Sequence, residues 1–471
     1  MTQKTLCFIL YALCLLYILS ACQPVITQLR APLEEEGEVF FYLQPFPQEA
    51  ERLRFRLEGI SVLDASGREF PISLLFDELK SAGARRQRLL GSSRLRPGTY
   101  SGLSIRVKSA VLKVEDGEAA LRVPDESLRI NFPFTIGRKK ALVITLHFKY
   151  KESIQDGFFF NPLFSLSVPA RPIISLAGYV TNSGSNNITV FDKRAGQVVG
   201  KIATGRGPAG MALDQNLRKV YAALSGDDAI EVIDISSAEV VNRLRLNTGD
   251  QPRELALTPD GKMLLAVNSG SNTVSIIDPV SLLELGRIDV GKGPNSILID
   301  NTGRRAFVFN TLSSALSIIH IPNRAIAATI STDPAPLRGQ FNRRGDRLYV
   351  IHEWSSYLTV IDPLSLLALR RHSVRMGMNA IKVDQKTDFV YLGRKNDVII
   401  EVHDPFSFVP VDSIQTRGAI AYMTIDEEEN NLYMVHPEER SLTATNLVSR
   451  KKVFEVDVGE GPYWVTVMGE R

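Results

Sequence analysis

Chemistry-bearing residues in this sequence gather at a few recurring places. The fourth residue of each of seven related apolar runs is, in order, Asn182, Leu224, Asn268, Asn310, His352, Arg394 and His436. Just after a second recurring element, a Gly-Pro turn or its equivalent, stand Arg253, Glu254, Asn295, Arg338, Asn379, Tyr422, Tyr463 and Trp464. Trp354 follows Glu353 in the loop after the fifth run. Aromatic faces beside cationic donors suit a sugar, an anionic glycan or a peptide. The ligand-binding set on this reading is His352, Trp354, Arg394, His436, Arg253, Arg338, Tyr422 and Trp464. His352, Arg394 and His436 enter it because Asn suffices for the turn in other runs, so turn chemistry does not require them.

Catalytic signatures are sparse beside this set. There is no glycine-rich phosphate loop opening a helix, no His-Glu-x-x-His and no Gly-x-Ser-x-Gly. The six histidines (His147, His320, His352, His372, His403 and His436) are scattered, with no pair at close metal-ligand spacing. No metal and no cofactor is expected. Lys and Arg number 55 against 52 Asp and Glu, a formal charge of +3 over 471 residues. Such near-neutrality lacks the electrostatic footprint of a nucleic-acid binder. Basic clusters at Arg85-Arg86-Arg88, Arg138-Lys139-Lys140, Arg343-Arg344 and Arg370-Arg371 read as solvated loops, or alternatively as points of attraction to anionic lipid.

The elements that must position these residues repeat. Tyr179, Tyr221, Leu265, Phe307, Tyr349, Tyr391 and Tyr433 each open an apolar run, at spacings of 42, 44, 42, 42, 42 and 42 residues. Thirteen residues after each comes Asp192, Asp234, Asp278, His320, Asp362, Asp404 or Asn446. A side-chain acceptor at that point closes a turn. Runs such as Thr273-Val274-Ser275-Ile276-Ile277 are β-branched and too short for helices. Four strands in about 40–45 residues make one propeller blade, so seven units predict a seven-bladed β-propeller. Each unit reads as strands B, C and D, followed by strand A of the next. The last unit ends in a spare A strand, residues 464–468, which can pair only with the first unit. That pairing would close the ring and remove its open edges.

Named resemblances follow from particular residues. Gly178-Tyr179-Val180-Thr181-Asn182 and Val267-Asn268-Ser269-Gly270-Ser271-Asn272-Thr273-Val274 resemble the repeat of the YVTN β-propeller family. The turns at 205–208, 291–294 and 459–462 and Pro259-Asp260-Gly261 fit the same pattern, and the resemblance spans residues 173–471. His352, Arg394 and His436 depart from its Asn. The resemblance implies that D–A and B–C loops share one face around the mouth of a central channel, where the ligand set would lie. Related propellers include lactonase-like and cofactor-binding enzymes, so an enzyme is the alternative reading. It would need convergent carboxylates or a metal at that mouth, where Glu254 and Glu353 are the evident acids.

Residues 38–168 alternate in the manner of strands, as in Leu53-Arg54-Phe55-Arg56-Leu57 and Leu103-Ser104-Ile105-Arg106-Val107. Turns punctuate them at Ala65-Ser66-Gly67, Arg96-Pro97-Gly98 and Glu115-Asp116-Gly117. The pattern predicts a β-sandwich interrupted by one helix over 74–80. Leu95-Arg96-Pro97-Gly98-Thr99-Tyr100, with Phe132-Pro133-Phe134, resembles a β-sandwich domain of bacterial lipoproteins that has no known function.

Upstream, residues 22–37 read as a tether and residues 1–21 as a leader. Lys4 precedes an apolar run over residues 6–19, too short for a membrane span of ~20 residues. The run ends in Leu19-Ser20-Ala21-Cys22, which resembles the lipobox of bacterial lipoproteins. That resemblance implies cleavage of the leader and a diacylglyceryl group on Cys22; Gln23 in place of Asp implies outer-membrane attachment. All three cysteines, Cys7, Cys14 and Cys22, fall here, so the mature chain would hold no internal disulfide and no thiol nucleophile. Together these readings describe an all-β, lipid-anchored protein of the bacterial cell envelope, more readily a binding or scaffold protein than an enzyme. Its propeller face would take a glycan, a peptide or an envelope protein. Failing that face, the sandwich or its junction near residues 169–172 is the next place for a site.

Overall fold

Residues that alternate or are β-branched in the sequence form strands almost throughout the computed structural model, which describes residues 30–81, 86–115 and 117–470. The leader read at residues 1–21, Cys22, Arg85 of the first basic cluster and Asp116 of one turn lie outside the described residues. In the N-terminal part, Gly37–Leu43 runs parallel to Ala141–Phe148 and antiparallel to Arg86–Leu95. A second sheet pairs Leu53–Asp64 with the long strand Gly98–Val114, which also carries Leu128–Ile136. The inward-facing residues of both sheets share one core, with Val39, Phe41, Phe55, Leu103, Ile144 and Phe160 almost wholly buried.

The helix expected over 74–80 does not form. Its residues make short strands, Ser73–Leu74 on Arg86–Leu95 and Glu78–Lys80 on Leu53–Asp64. A helix of two turns is marginal by itself, and two open strand edges offer its backbone groups better partners.

From Ala177 onward strands group in fours. Among the described residues, six antiparallel four-stranded sheets stand separately, each in the order A-B-C-D. The A strands are Pro208–Asp214, Pro252–Leu257, Pro294–Ile299, Pro336–Phe341, Met378–Val383, Tyr422–Asp426 and Pro462–Val467. Each touches the next, and the last touches the first. This is the blade arrangement of a β-propeller. The residues that open the B strands, from Tyr179 to Tyr433, are each no more than 1% exposed. They fill the space between neighbouring sheets, which is why the period is so plain in the sequence. At the C–D turns Asp278 Oδ1 accepts the backbone N–H of Val280 and Ser281, and His320 Nδ1 stands in for Asp at 3.3 Å from Asn323 N.

Pro462–Val467 pairs antiparallel with Ala177–Asn182, Val180 lying opposite Val465. The turn leading into it needs Gly461, whose φ is +59° and whose added Cβ would come within 2.8 Å of Ser183 Oγ.

The D strand Lys452–Asp457 runs parallel to Arg86–Leu95, so the strands from Tyr422 to Asp457 and the N-terminal strands form one continuous sheet. Arg86, expected on a solvated loop, is instead clamped between acids. Its Nη1 lies 2.8 Å from Glu455 Oε1 and its Nη2 2.8 Å from Asp457 Oδ1. The Leu89 N–H donates to Asp457 Oδ2. A shared apolar cluster joins Phe40, Tyr42, Leu89 and Val143 to Val198, Phe454 and Val456.

Candidate functional site

Successive A strands place corresponding residues side by side. Two residues beyond the turn, this repeat position is held by Gly210, Glu254, Ser296, Arg338, Ala380, Tyr422 and Trp464. Glu254, Ser296, Arg338, Tyr422 and Trp464 line a cavity of about 300 Å³ between the A strands. Glu254 accepts hydrogen bonds from Ser296 Oγ at 3.0 Å and from Arg338 Nη1 at 3.1 Å. The Arg338 guanidinium lies over Tyr422 at 5.1 Å and over Trp464 at 5.2 Å. Those two rings stack 3.7 Å apart, 17° from parallel. Gly210 makes the room: a Cβ there would sit 2.9 Å from Glu254 Cα.

Burial pushes the Glu254 carboxyl above the usual carboxylate range, against the pull of Arg338. Burial is the largest influence on Arg338 and works against the cation, but Glu254, Tyr463 and Tyr422 together outweigh it and raise the guanidinium pKa. One step along the A strands, Lys382 and Thr466 line the same cavity with Glu470, which accepts from Thr424 Oγ1 at 2.6 Å and Thr466 Oγ1 at 2.8 Å. One residue before the Glu254 position, exposed Arg253 donates through Nε to the Tyr463 hydroxyl at 3.0 Å and lies over that ring.

Of the eight residues expected to bind a ligand, Arg338, Tyr422 and Trp464 therefore meet in one place, and Arg253 lies near them through Tyr463. The other four do not join them. His352 and His436 are wholly buried and Arg394, like Arg338, Tyr422 and Trp464, is 7% exposed, which corrects the expectation that these residues project from an open face. The physical reason lies on strand C. Asn182, Asn268 and Asn310 donate to the hydroxyl seven residues on, in Thr189, Ser275 and Ser317. His436 Nε2 meets Thr443 Oγ1 at 2.7 Å, and Arg394 Nη1 meets Glu401 Oε1 at 3.0 Å. These residues do the work of Asn with a partner of matching reach. Arg394 is further held by Asp397, and His352 Nδ1 lies 3.2 Å from the Tyr357 carbonyl. Burial lowers the pKa of both histidines. Trp354 stands apart, 56% exposed, beside a Glu353–Lys395 pair at 3.6 Å.

The site as built offers one buried carboxylate, one buried guanidinium and two stacked rings, with a buried lysine, Lys382, farther along the cavity. Such a set can bind a polar group that has a flat face. Glu353 is not among the residues lining it, and the described residues hold no cluster of His, Cys, Asp and Glu suited to a metal ion.

The comparisons agree with this architecture. A family model described as YNCE-like β-propeller matches residues 175–386. No curated protein matches the sequence. Among solved structures, a functionally unknown protein from Desulfotomaculum acetoxidans DSM 771 superposes with a TM-score of 0.56 at 14% identity, over 62% of this chain and 98% of that one. Hydrazine synthase of Kuenenia stuttgartiensis gives 0.52 at 15% identity, over 60% and 96%. The dihydro-heme d1 dehydrogenase NirN in complex with DHE gives 0.51 at 14% identity, over 64% and 78%. Likeness at these identities is one of fold, and it makes this chain a β-propeller protein.

Proposed function

We propose that this chain is a lipid-anchored binding protein of the bacterial cell envelope. Its N-terminal β-sandwich, residues 38–168, carries a seven-bladed propeller, residues 173–471, and the mouth of the propeller's channel receives a glycan, a peptide or an envelope partner. The observation that carries the binding role is the convergence of Arg338, Tyr422 and Trp464 on one cavity, from repeats far apart in sequence. Nothing in blade packing asks for a guanidinium over two stacked rings at the centre of the fold. The anchor rests on Leu19-Ser20-Ala21-Cys22, and among the described residues no helix is long and apolar enough to cross a membrane.

Two experiments test the two halves. Metabolic labelling with a radioactive fatty acid should label the wild-type protein and not Cys22→Ser; an unlabelled wild type refutes the anchor. A form lacking residues 1–22 should be screened against envelope glycans, peptidoglycan fragments, peptides and metal ions. Trp464→Leu should weaken whatever binds, because it removes one stacking face. A ligand held equally well by that variant would place the site elsewhere. Turnover of a lactone by the same form would favour the enzyme reading.

A further inference from the structure

The cavity between the A strands is closed at one end and open at the other. Toward the D–A turns its walls stop at Glu254, Ser296, Arg338, Tyr422 and Trp464, and none of the described D–A turn residues lines it. These five are at most 7% exposed, and their contacts run from Glu254 on Pro252–Leu257 to Trp464 on Pro462–Val467. Nearer the turns, Arg253 reaches the Tyr463 hydroxyl between the same two strands. In the other direction the walls continue to Gln215, Pro259 and Glu470, which follow the ends of A strands. Gln215 and Pro259 are exposed there. A neighbouring cavity of about 630 Å³ shares Leu298, Ile299 and Gln340 with the first and runs out to exposed Asn301, Arg343 and Lys386. The way in therefore lies on the face of the A–B turns, opposite the D–A and B–C loops.

The space inside has two unlike walls. Ala212, Ala256 and Leu298 make one side apolar, and Gln340 and Lys382 make the other polar. Lys382 is 6% exposed. Its Nζ lies 3.8 Å from Glu470 Oε1, near enough to balance the charge and too far for a hydrogen bond. The Glu470 carboxylate already accepts from Thr424, Thr466 and, at 3.3 Å, the Val467 N–H. The Gln340 side chain likewise has no hydrogen-bond partner among the described residues. An ammonium and an amide are thus left with donors and an acceptor to offer. Arg338 and Lys382 are matched by Glu254 and Glu470, so these groups carry no net formal charge. A charged ligand would be buried here without a counter-ion. A ring of hydroxyls with an apolar face satisfies both walls and can lie against the aromatic pair at the closed end.

We propose that this cavity takes one uncharged sugar ring at the end of a glycan, entering from the A–B face, with its hydroxyls on Gln340 and Lys382. A pocket closed behind the ring admits a chain end and excludes a chain that would run through. The proposal rests on the binding role given to this cavity above, and adds the class of ligand and its way in.

The test uses the form lacking residues 1–22, which keeps every described residue and holds no cysteine. Calorimetric titration compares D-glucose and N-acetyl-D-glucosamine with their charged counterparts D-glucuronate and D-glucosamine. An uncharged sugar should bind about tenfold or more tightly than either charged one. Gln340→Ala and Lys382→Met should each weaken it about tenfold. Gln340→Ala leaves every charge in place, so it decides the matter if Lys382→Met does not fold. The way in is read from retention on agarose carrying the bound sugar. Asn301→Cys on the A–B face and Lys292→Cys in a D–A turn are each joined to maleimide-biotin and capped with streptavidin. The cap at 301 should abolish retention and the cap at 292 should leave it unchanged. No binding of either uncharged sugar, tighter binding of a charged one, unchanged affinity in Gln340→Ala, or loss of retention under the cap at 292 alone would each overturn the proposal. The binding role of the cavity fails separately, when Trp464→Leu holds every ligand of the wider screen as well as the wild type does.

Discussion

The ends of the propeller are joined by more than a strand, and Lys193 makes the joint measurable. Its Nζ lies 2.5 Å from Asp426 Oδ2 and 2.5 Å from the Met468 carbonyl. The Lys193 side chain is 1% exposed and that of Asp426 is not exposed at all. One ammonium thus ties a turn of the first repeat to the A strand Tyr422–Asp426 and to the residue just after the final strand. Lys193→Met keeps the apolar stem and removes the charge. Asp426 Oδ1 still accepts the Glu428 N–H at 3.0 Å, but Oδ2 is left buried without its cation. Stripping one partner from a buried pair costs roughly 3–5 kcal/mol, a large part of the ~5–15 kcal/mol that keeps a domain folded. The double variant Lys193→Met with Asp426→Asn removes the stranded charge and keeps the turn, so it should recover at least half of the loss. The chain has two tryptophans, Trp354 and Trp464. Trp354→Phe leaves Trp464, on the closing strand, as a single fluorescent reporter during denaturant unfolding. A loss below about 1 kcal/mol in Lys193→Met, or a double variant no better than the single one, would refute the joint.

Three further outcomes are expected. Lys201 and Glu231 are both driven toward neutrality by burial, each to a pKa of about 7. Between about 7 and 10.5 the unfolded chain keeps the Lys201 proton and the folded chain does not, so stability rises with pH by up to about 1.4 kcal/mol per unit. Between 4.5 and about 7 the folded chain holds the Glu231 proton that the unfolded chain has lost, so stability falls as pH rises. Unfolding of Lys201→Met and Glu231→Gln across pH should flatten the alkaline and acid limbs respectively. Arg86→Ala should loosen the junction of the two parts by roughly 1.5–3 kcal/mol, read as faster proteolytic cutting near Val168. Arg394→Ala should lower stability by a similar ~1.5–3 kcal/mol because Asp397 and Glu401 lose their partner; His352→Asn, restoring the usual residue, should change it by less than about 1 kcal/mol. Unfolding midpoints of the two variants check both.

What the sequence made legible was whatever each repeat must do for itself. The leaders of the B strands, the acceptors at the C–D turns and the glycines of the D–A turns answer to local geometry, so their spacing could be counted. Relations between distant segments were hidden. Nothing local in Arg86-Gln87-Arg88 tells that Arg86 will sit between Glu455 and Asp457, and nothing near Leu74 shows the strand edges that outcompete a helix. For the site, the ligand set holds three residues that meet at the cavity, Arg338, Tyr422 and Trp464, one that lies beside them, Arg253, and four that do not join them, while it omits Glu254. His352, Arg394 and His436 depart from Asn at one position, and the burial of Arg394 and His436 follows only when the strand-C residue seven places on is read with each.

That error points to a physical distinction between two kinds of departure from a repeat. Arg394 breaks the pattern, but Glu401 breaks it too, within the same sheet, and the two cancel at 3.0 Å. His436 and Thr443 likewise settle their account inside one blade. Such changes cost the fold nothing outside their own unit, so they can accumulate without any ligand to select them. Glu254 and Arg338 cannot be explained this way. They are 84 residues apart, belong to A strands that do not follow one another, and satisfy each other only because the strands converge. Arg338 then needs Trp464, contributed by the last strand, for its second aromatic face. No single repeat gains from holding a buried carboxylate or a buried guanidinium, each of which would be expensive alone. A charge that is satisfied only across the ring is tied to its centre, where Glu254, Arg338, Tyr422 and Trp464 line one cavity.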